Sequence, residues 1–190
     1  MSLAGRDITN PAMGARVHFR TVSAESGGEL LEVDFVLRPG GVIATDHLHP
    51  HQEEHFDVVS GGVVGHVGGV PRAVGRGGSS TVAPGVPHAW RNASDVEEVH
   101  LRVQFRPALN TEDFFDTVFA LGRAGRADAA GVPRLPERLA LLAAFPLEFR
   151  PAGMPAPLHA ALVRVLAPWA RRQTRRWSLH HTEATERNAA

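Results

Sequence analysis

Cysteine, tyrosine and lysine are all missing from this 190-residue chain. Without thiols there is no disulfide, no zinc–thiolate site and no cysteine nucleophile. Without lysine there is no Schiff base, and without tyrosine no phenolic acid. Any chemistry must come from His, Asp, Glu, Ser, Thr, Arg or a bound ion. All 20 basic side chains are Arg, a usage that fits a GC-rich genome, and they balance 20 acidic ones to a formal net charge of zero. That balance speaks against a nucleic-acid binder, which carries a basic excess. No apolar run approaches the roughly 18 residues that span a bilayer. The first residues also lack a basic-then-apolar signal pattern. The expectation is a cytoplasmic globular protein without membrane or nucleic-acid partners.

Between Arg16 and Arg106 the pattern is β. Leu31, Val33, Phe35 and Leu37 alternate with Glu32, Asp34 and Val36, as in a half-buried strand that Pro39-Gly40-Gly41 then breaks. Further runs follow at 42–49, 54–60, 63–67, 70–74, 81–83, 88–91 and 99–105. Gly68-Gly69 is a two-residue hairpin signal. Many short strands with Gly/Pro turns predict an antiparallel sandwich or barrel. Which face of 99–105 points inward, Val99/Leu101/Val103/Phe105 or His100/Gln104, stays open.

Beyond Arg106-Pro107 the pattern becomes helical. A helix is predicted over Asn110–Gly122, with Asn110 or Thr111 as cap and Phe114, Phe115, Val118, Phe119 and Leu121 as its apolar face. A second is predicted over Arg134–Ala144, then a Pro-rich connector at 146–157. A third should follow Pro157, with Leu158, Ala161, Leu162, Val165, Leu166 and Trp169 on one stripe and Pro168 as a possible kink. The chain divides into an N-terminal arm (1–15), a β-barrel (16–106), a helical extension packing on the barrel or a dimer partner (107–177), and a disordered tail (178–190). The aromatic face from Phe114 to Phe119 needs a partner surface, so a homodimer is expected.

The chemistry-bearing pattern is His47-Leu48-His49, then Glu54, then His88. On a strand, residues i and i+2 share a face with Cα atoms about 6.5–7 Å apart, so His47 and His49 can hold one ion between them. Glu54 opens the next strand on the same face as Phe56 and Val58, and His88 closes the set from a distant strand. Imidazole and carboxylate suit one divalent transition ion, Fe or Mn before Zn, Ni, Co or Cu. An octahedral ion with four protein ligands keeps two positions for substrate, or for substrate and O₂. Tetrahedral zinc would be nearly saturated.

These residues carry a resemblance. Gly41, His47, His49, Glu54 and Gly61 match the first motif of the cupin superfamily at every position. Gly77, Gly85, His88 and Asn92 match the second, with Ala83 where Pro is usual. Fifteen residues separate the motifs, as in single-domain microbial cupins of the cupin 2 conserved-barrel type. The resemblance implies an all-β jelly-roll barrel, here with an α-helical C-terminal extension, and His47, His49, Glu54 and His88 as metal ligands.

It also implies an enzyme acting on a small-molecule substrate, with dioxygenase-like oxidoreductase chemistry foremost and Glu54 as a proton shuttle. An O₂-independent polyketide cyclase or isomerase, or a non-enzymatic binding or sensing barrel, are the alternatives. Phe56, Val58 and Trp90 are candidate pocket residues, with Trp90 equally suited to plain core. His51 and His55 are read as surface or supporting residues, with alternation turning His55 away from the metal. His18, His66 and His100 are isolated on separate strands. Arg171, Arg172, Arg175 and Arg176 read as a solvated helix end, His180-His181 as tail. Gly75-Arg76-Gly77-Gly78 lacks the Lys-Ser/Thr of a phosphate loop.

Overall fold

A computed structural model describes residues 3–43, 45–128 and 131–187, with backbone alone at 175, 176 and 178–187. Two antiparallel sheets face each other. Strands β1 (Asp7–Asn10), β2 (Ala15–Thr21), β3 (Leu31–Leu37), β5 (Glu53–Ser60), β8 (Ser79–Val82) and β10 (Val99–Arg106) form one, in the order β1-β2-β3-β10-β5-β8. Strands β4 (His47–Leu48), β6 (Gly62–Val67), β7 (Val70–Gly75), β9 (His88–Asn92) and β11 (Arg150–Pro151) form the other, ordered β11-β4-β9-β6-β7. The result is a jelly-roll barrel.

Alternation sets the core. Val17 and Phe19 of β2, Leu31, Val33, Phe35 and Leu37 of β3, and Phe56 and Val58 of β5 all point inward and are buried. On β10 the inward face is Val99, Leu101, Val103 and Phe105, which leaves His100, Arg102 and Gln104 on the outside. Burying one such side chain stabilises the fold by about 1.5–3 kcal/mol. Between β5 and β6, Gly61 takes φ +75°, and a Cβ there would meet the Glu98 carbonyl oxygen at 2.8 Å. Only glycine fits that turn without strain.

Three expectations about strands change. Residues 7–10, read as arm, pair with β2 from Asp7↔His18 to Asn10↔Ala15. Among the described residues, the run 42–49 contracts to β4 plus a single bridge from Val42 to Arg91. The Pro-rich connector contains β11, whose Arg150 and Pro151 pair with Leu48 and His47. Proline donates no ladder hydrogen bond, which confines it to a sheet edge, and β11 is an edge strand.

Helix α1 (Thr111–Arg123) packs on the barrel. Phe119 meets Phe35 edge-on at 6.4 Å, and Phe115 lies 5.7 Å from Phe105. The aromatic face thus finds its partner surface within the chain. Neither Asn110 nor Thr111 caps α1 with its side chain. Helix α2 (Leu135–Ala144) packs on α3 (Ala156–Arg187) through Ala140, Ala143 and Ala170, with Leu166 and Trp177 at the margin. Arg126 donates to Glu137 and lies 5.5 Å over the Trp177 ring, tying the three helices together.

The stripe on α3 is turned from the expected position. Leu158, Val165 and Trp169 are exposed, while His159, Ala170 and Thr174 are buried. Alanines let the two helices approach closely, and that packing outweighs the larger area of the leucine-rich face. Helix α3 continues past Pro168 and runs to Arg187, in place of the disordered tail expected from 178. Leu179, Ala184 and the Glu and Arg residues there are helix formers uninterrupted by Gly or Pro. Residues 188–190 lie outside the described residues.

Candidate metal centre

Four side chains from three strands meet inside the barrel. His47 and His49 come from β4 and its C-terminal edge, Glu54 from β5 and His88 from β9, where His47 and His88 face each other across the ladder. One donor atom from each lies within 4.8 Å of all the others. His88 is fully buried and the other three are each 7 % exposed.

The imidazoles are oriented by their other nitrogen. Nδ1 of His47 donates to the Thr45 carbonyl at 2.9 Å, Nδ1 of His88 to the Val86 carbonyl at 3.0 Å, and Nδ1 of His49 to the Glu148 carbonyl at 2.5 Å. With Nδ1 donating to a carbonyl, Nε2 is the nitrogen that offers its lone pair to a metal when deprotonated and donates to a carboxylate when protonated. Nε2 of His49 and of His88 then lie 3.0 and 2.9 Å from one oxygen of Glu54.

Burial, reinforced by the neighbouring His49 and His88, pushes the His47 imidazole down to about 3, so it is neutral at ordinary pH. For Glu54 burial alone would raise the carboxyl, but hydrogen bonds from His49 and His88 hold it well below the usual carboxylate range. Burial would lower His88, and its hydrogen bond to Glu54 overrides this and raises it. A buried anion is thus kept ionised by imidazoles, in a set whose donors are three neutral-capable nitrogens and one carboxylate oxygen. That donor set fits a first-row divalent ion.

A sequence model described as the Cupin domain matches residues 33–103, the stretch that holds all four side chains. The chain carries a cupin domain. No functionally curated protein matches it. Among solved structures it is similar to the TT1209 protein of Thermus thermophilus, at 26% identity over 42% of this chain and 74% of that one, with a TM-score of 0.39. An RmlC-like cupin of Shewanella frigidimarina is 23% identical over 55% and 86% of the two chains, with a TM-score of 0.46. A predicted oxalate decarboxylase of Thermotoga maritima is 16% identical over 56% and 94%, with a TM-score of 0.48.

Around these four side chains the other candidates fall as follows. Phe56, Val58 and Trp90 face inward and are buried in the packed core, with Phe56 and Trp90 in edge contact at 5.0 Å. His51 is exposed, and His55 turns outward to Thr81 at 2.8 Å and Asp57 at 3.5 Å. His18 pairs with Asp7, His66 with Asp46 and His100 with Asp34, and none of the three belongs to the converging set. The side chains of Arg175, Arg176, His180 and His181 lie outside the described residues.

What sequence reasoning missed lies beyond the cupin motifs. The ring of Phe149 stacks on His47 at 5.3 Å and on Phe114 at 5.7 Å, while Phe105 meets His49 edge-on at 5.4 Å. Glu148 supplies the acceptor for His49. Both Glu148 and Phe149 belong to the connector. Their only signal was a pair of aromatics, Phe145 and Phe149, in a segment otherwise marked by prolines.

Proposed function

We propose that this cupin is a cytoplasmic, metal-dependent oxygenase for a small organic molecule. The observation that supports this most is the shared orientation of three histidines, each with Nδ1 engaged by a carbonyl, two of them with Nε2 on Glu54, beside aromatic rings. His47, His49, Glu54 and His88 would hold one divalent transition ion, iron or manganese before zinc, nickel, cobalt or copper. Bound there, such an ion supplies Lewis acidity and, if it is iron or manganese, redox chemistry with O₂.

The chain's own residues do the rest. Glu54 contributes one negative charge against a divalent cation, leaving a local charge of about +1. That favours an anionic or enolisable substrate, such as a diketone, phenolate or 2-oxo acid. Glu54 is also proposed as a proton shuttle to the substrate. Phe105 and Phe149 exclude water and strengthen electrostatic interactions in the site. Phe56, Val58 and Trp90 are proposed as the apolar wall. A homodimer remains part of the reading, supported now by the exposed Leu158, Val165 and Trp169 of α3. Light scattering that gives a monomer would remove it.

The deciding experiment loads the protein with Fe²⁺ and follows O₂ uptake against loss of diketone and phenolic substrates. Stoichiometric uptake is expected. Turnover without it would replace this reading by an O₂-independent cyclase or isomerase using the ion as a Lewis acid. Tight ligand binding without turnover would make the barrel a binding or sensing module.

A further inference from the structure

The three histidines differ in where their orienting carbonyl comes from. Thr45 and Val86 each lie two positions from the histidine they hold, so those contacts form with the barrel strands themselves. The carbonyl that holds His49 lies 99 positions away, in the helical extension outside the cupin motifs. His49 therefore reaches its metal-ready orientation only when the extension is docked.

The docking is built around Glu148, which is 2 % exposed. Its carboxylate oxygen Oε1 accepts from the Asn110 backbone N–H at 3.0 Å and from Asn110 Nδ2 at 3.3 Å. Asn110 precedes α1, where the first turn leaves backbone N–H groups without intrahelical partners and a negative charge is favoured. Glu148 thus takes up the backbone N–H of the N-cap residue itself, while the Asn110 side chain, which makes no cap hydrogen bond, donates to the same carboxylate oxygen. On its far side, Arg150 and Pro151 pair with Leu48 and His47, and the Ala152 N–H donates to the Asp46 carbonyl at 3.2 Å. One residue, in the turn just before β11, thus bridges the start of α1 to His49.

We infer that Glu148 is a positioning residue of the metal centre: its carboxylate anchors the extension to α1, and its carbonyl fixes the His49 ring. The inference rests on the metal reading above. It makes metal affinity depend on a segment outside the barrel, so the helical extension and the cupin domain form one functional unit.

The test titrates the full-length protein with Co²⁺ at fixed pH, by competition with a chromophoric chelator, and records the visible spectrum of the loaded form. Glu148→Ala should bind Co²⁺ about tenfold to a hundredfold more weakly, the usual cost of losing a group that orients a ligand, with an altered spectrum. Glu148→Gln keeps an acceptor oxygen for both Asn110 donors and should stay within about threefold of wild type. Asn110→Ala removes one of the two hydrogen bonds and should give a smaller loss in the same direction, which keeps the question decidable if Glu148→Ala does not fold. A lowered Tm with unchanged Co²⁺ affinity and spectrum in the alanine variants would make the contact merely structural and overturn the inference. Wild-type protein that binds no Co²⁺ would overturn the metal reading, and this inference with it.

Discussion

Phe149 lies nearly parallel to the imidazole of His47, with 22° between the ring planes and 5.3 Å between their centroids. The ring comes from the connector before α3, yet it stacks on a histidine supplied by the barrel. Phe149→Ala should therefore open the site to solvent. A loaded variant is expected to lose its ion to an external chelator at least about tenfold faster than wild type, with Phe149→Leu in between. Equal release rates would mean that the ring is packing alone.

His49→Ala removes one of the four converging donors while leaving the barrel strands intact. Bound metal should fall from about one equivalent to a small fraction, by elemental analysis of protein purified without an affinity tag, with the β-type circular dichroism retained. Unchanged metal content would contradict the ligand assignment.

Asp34 sits on the outer face of the barrel, 2.6 Å from Arg20 and 3.2 Å from His100. Burial alone would raise its carboxyl, but the close His100 imidazole and the hydrogen-bonded Arg20 outweigh that and lower it below the ordinary value of 3.8. A carboxyl lowered on folding contributes stability that is present above its unfolded pKa and lost as pH falls through its folded one. Asp34→Asn should cost about 1 kcal/mol near neutral pH, since the arginine is partly exposed. It should also flatten the fall in stability below about pH 4. Urea unfolding across that range checks it, and an unchanged acid slope would exclude Asp34 from the linkage.

Phe56 is buried in the barrel core against Trp90. Phe56→Ala should destabilise the fold by about 3–5 kcal/mol. A loss under about 1 kcal/mol by chemical denaturation would show space beside Trp90 that the side chains refill.

Much of the site was legible because its spacing is strand spacing. His47 and His49 share a face by alternation, and Glu54, Phe56 and Val58 share the next for the same reason, so register alone turned all of them inward. The β10 face was not legible, because His100 and Gln104 alternate as regularly as Leu101 and Val103. Only the partner strands β3 and β5 show which set meets a core. The α3 stripe misled for a related reason: hydrophobicity marked the face with most apolar area, whereas helix packing selected the one where Ala140, Ala143 and Ala170 allow close approach.

By itself, then, the amino-acid order pointed to the β-rich barrel and its turns, which depend on periodicities of a few residues, and named His47, His49, Glu54 and His88 as the candidates that the structure brings together. Tertiary structure alone decided that Glu148 orients His49 and that Phe149 covers His47. Those contacts join positions about a hundred residues apart through a proline-rich segment with no period of its own, and they exist only once the helical extension has folded back over the mouth of the barrel.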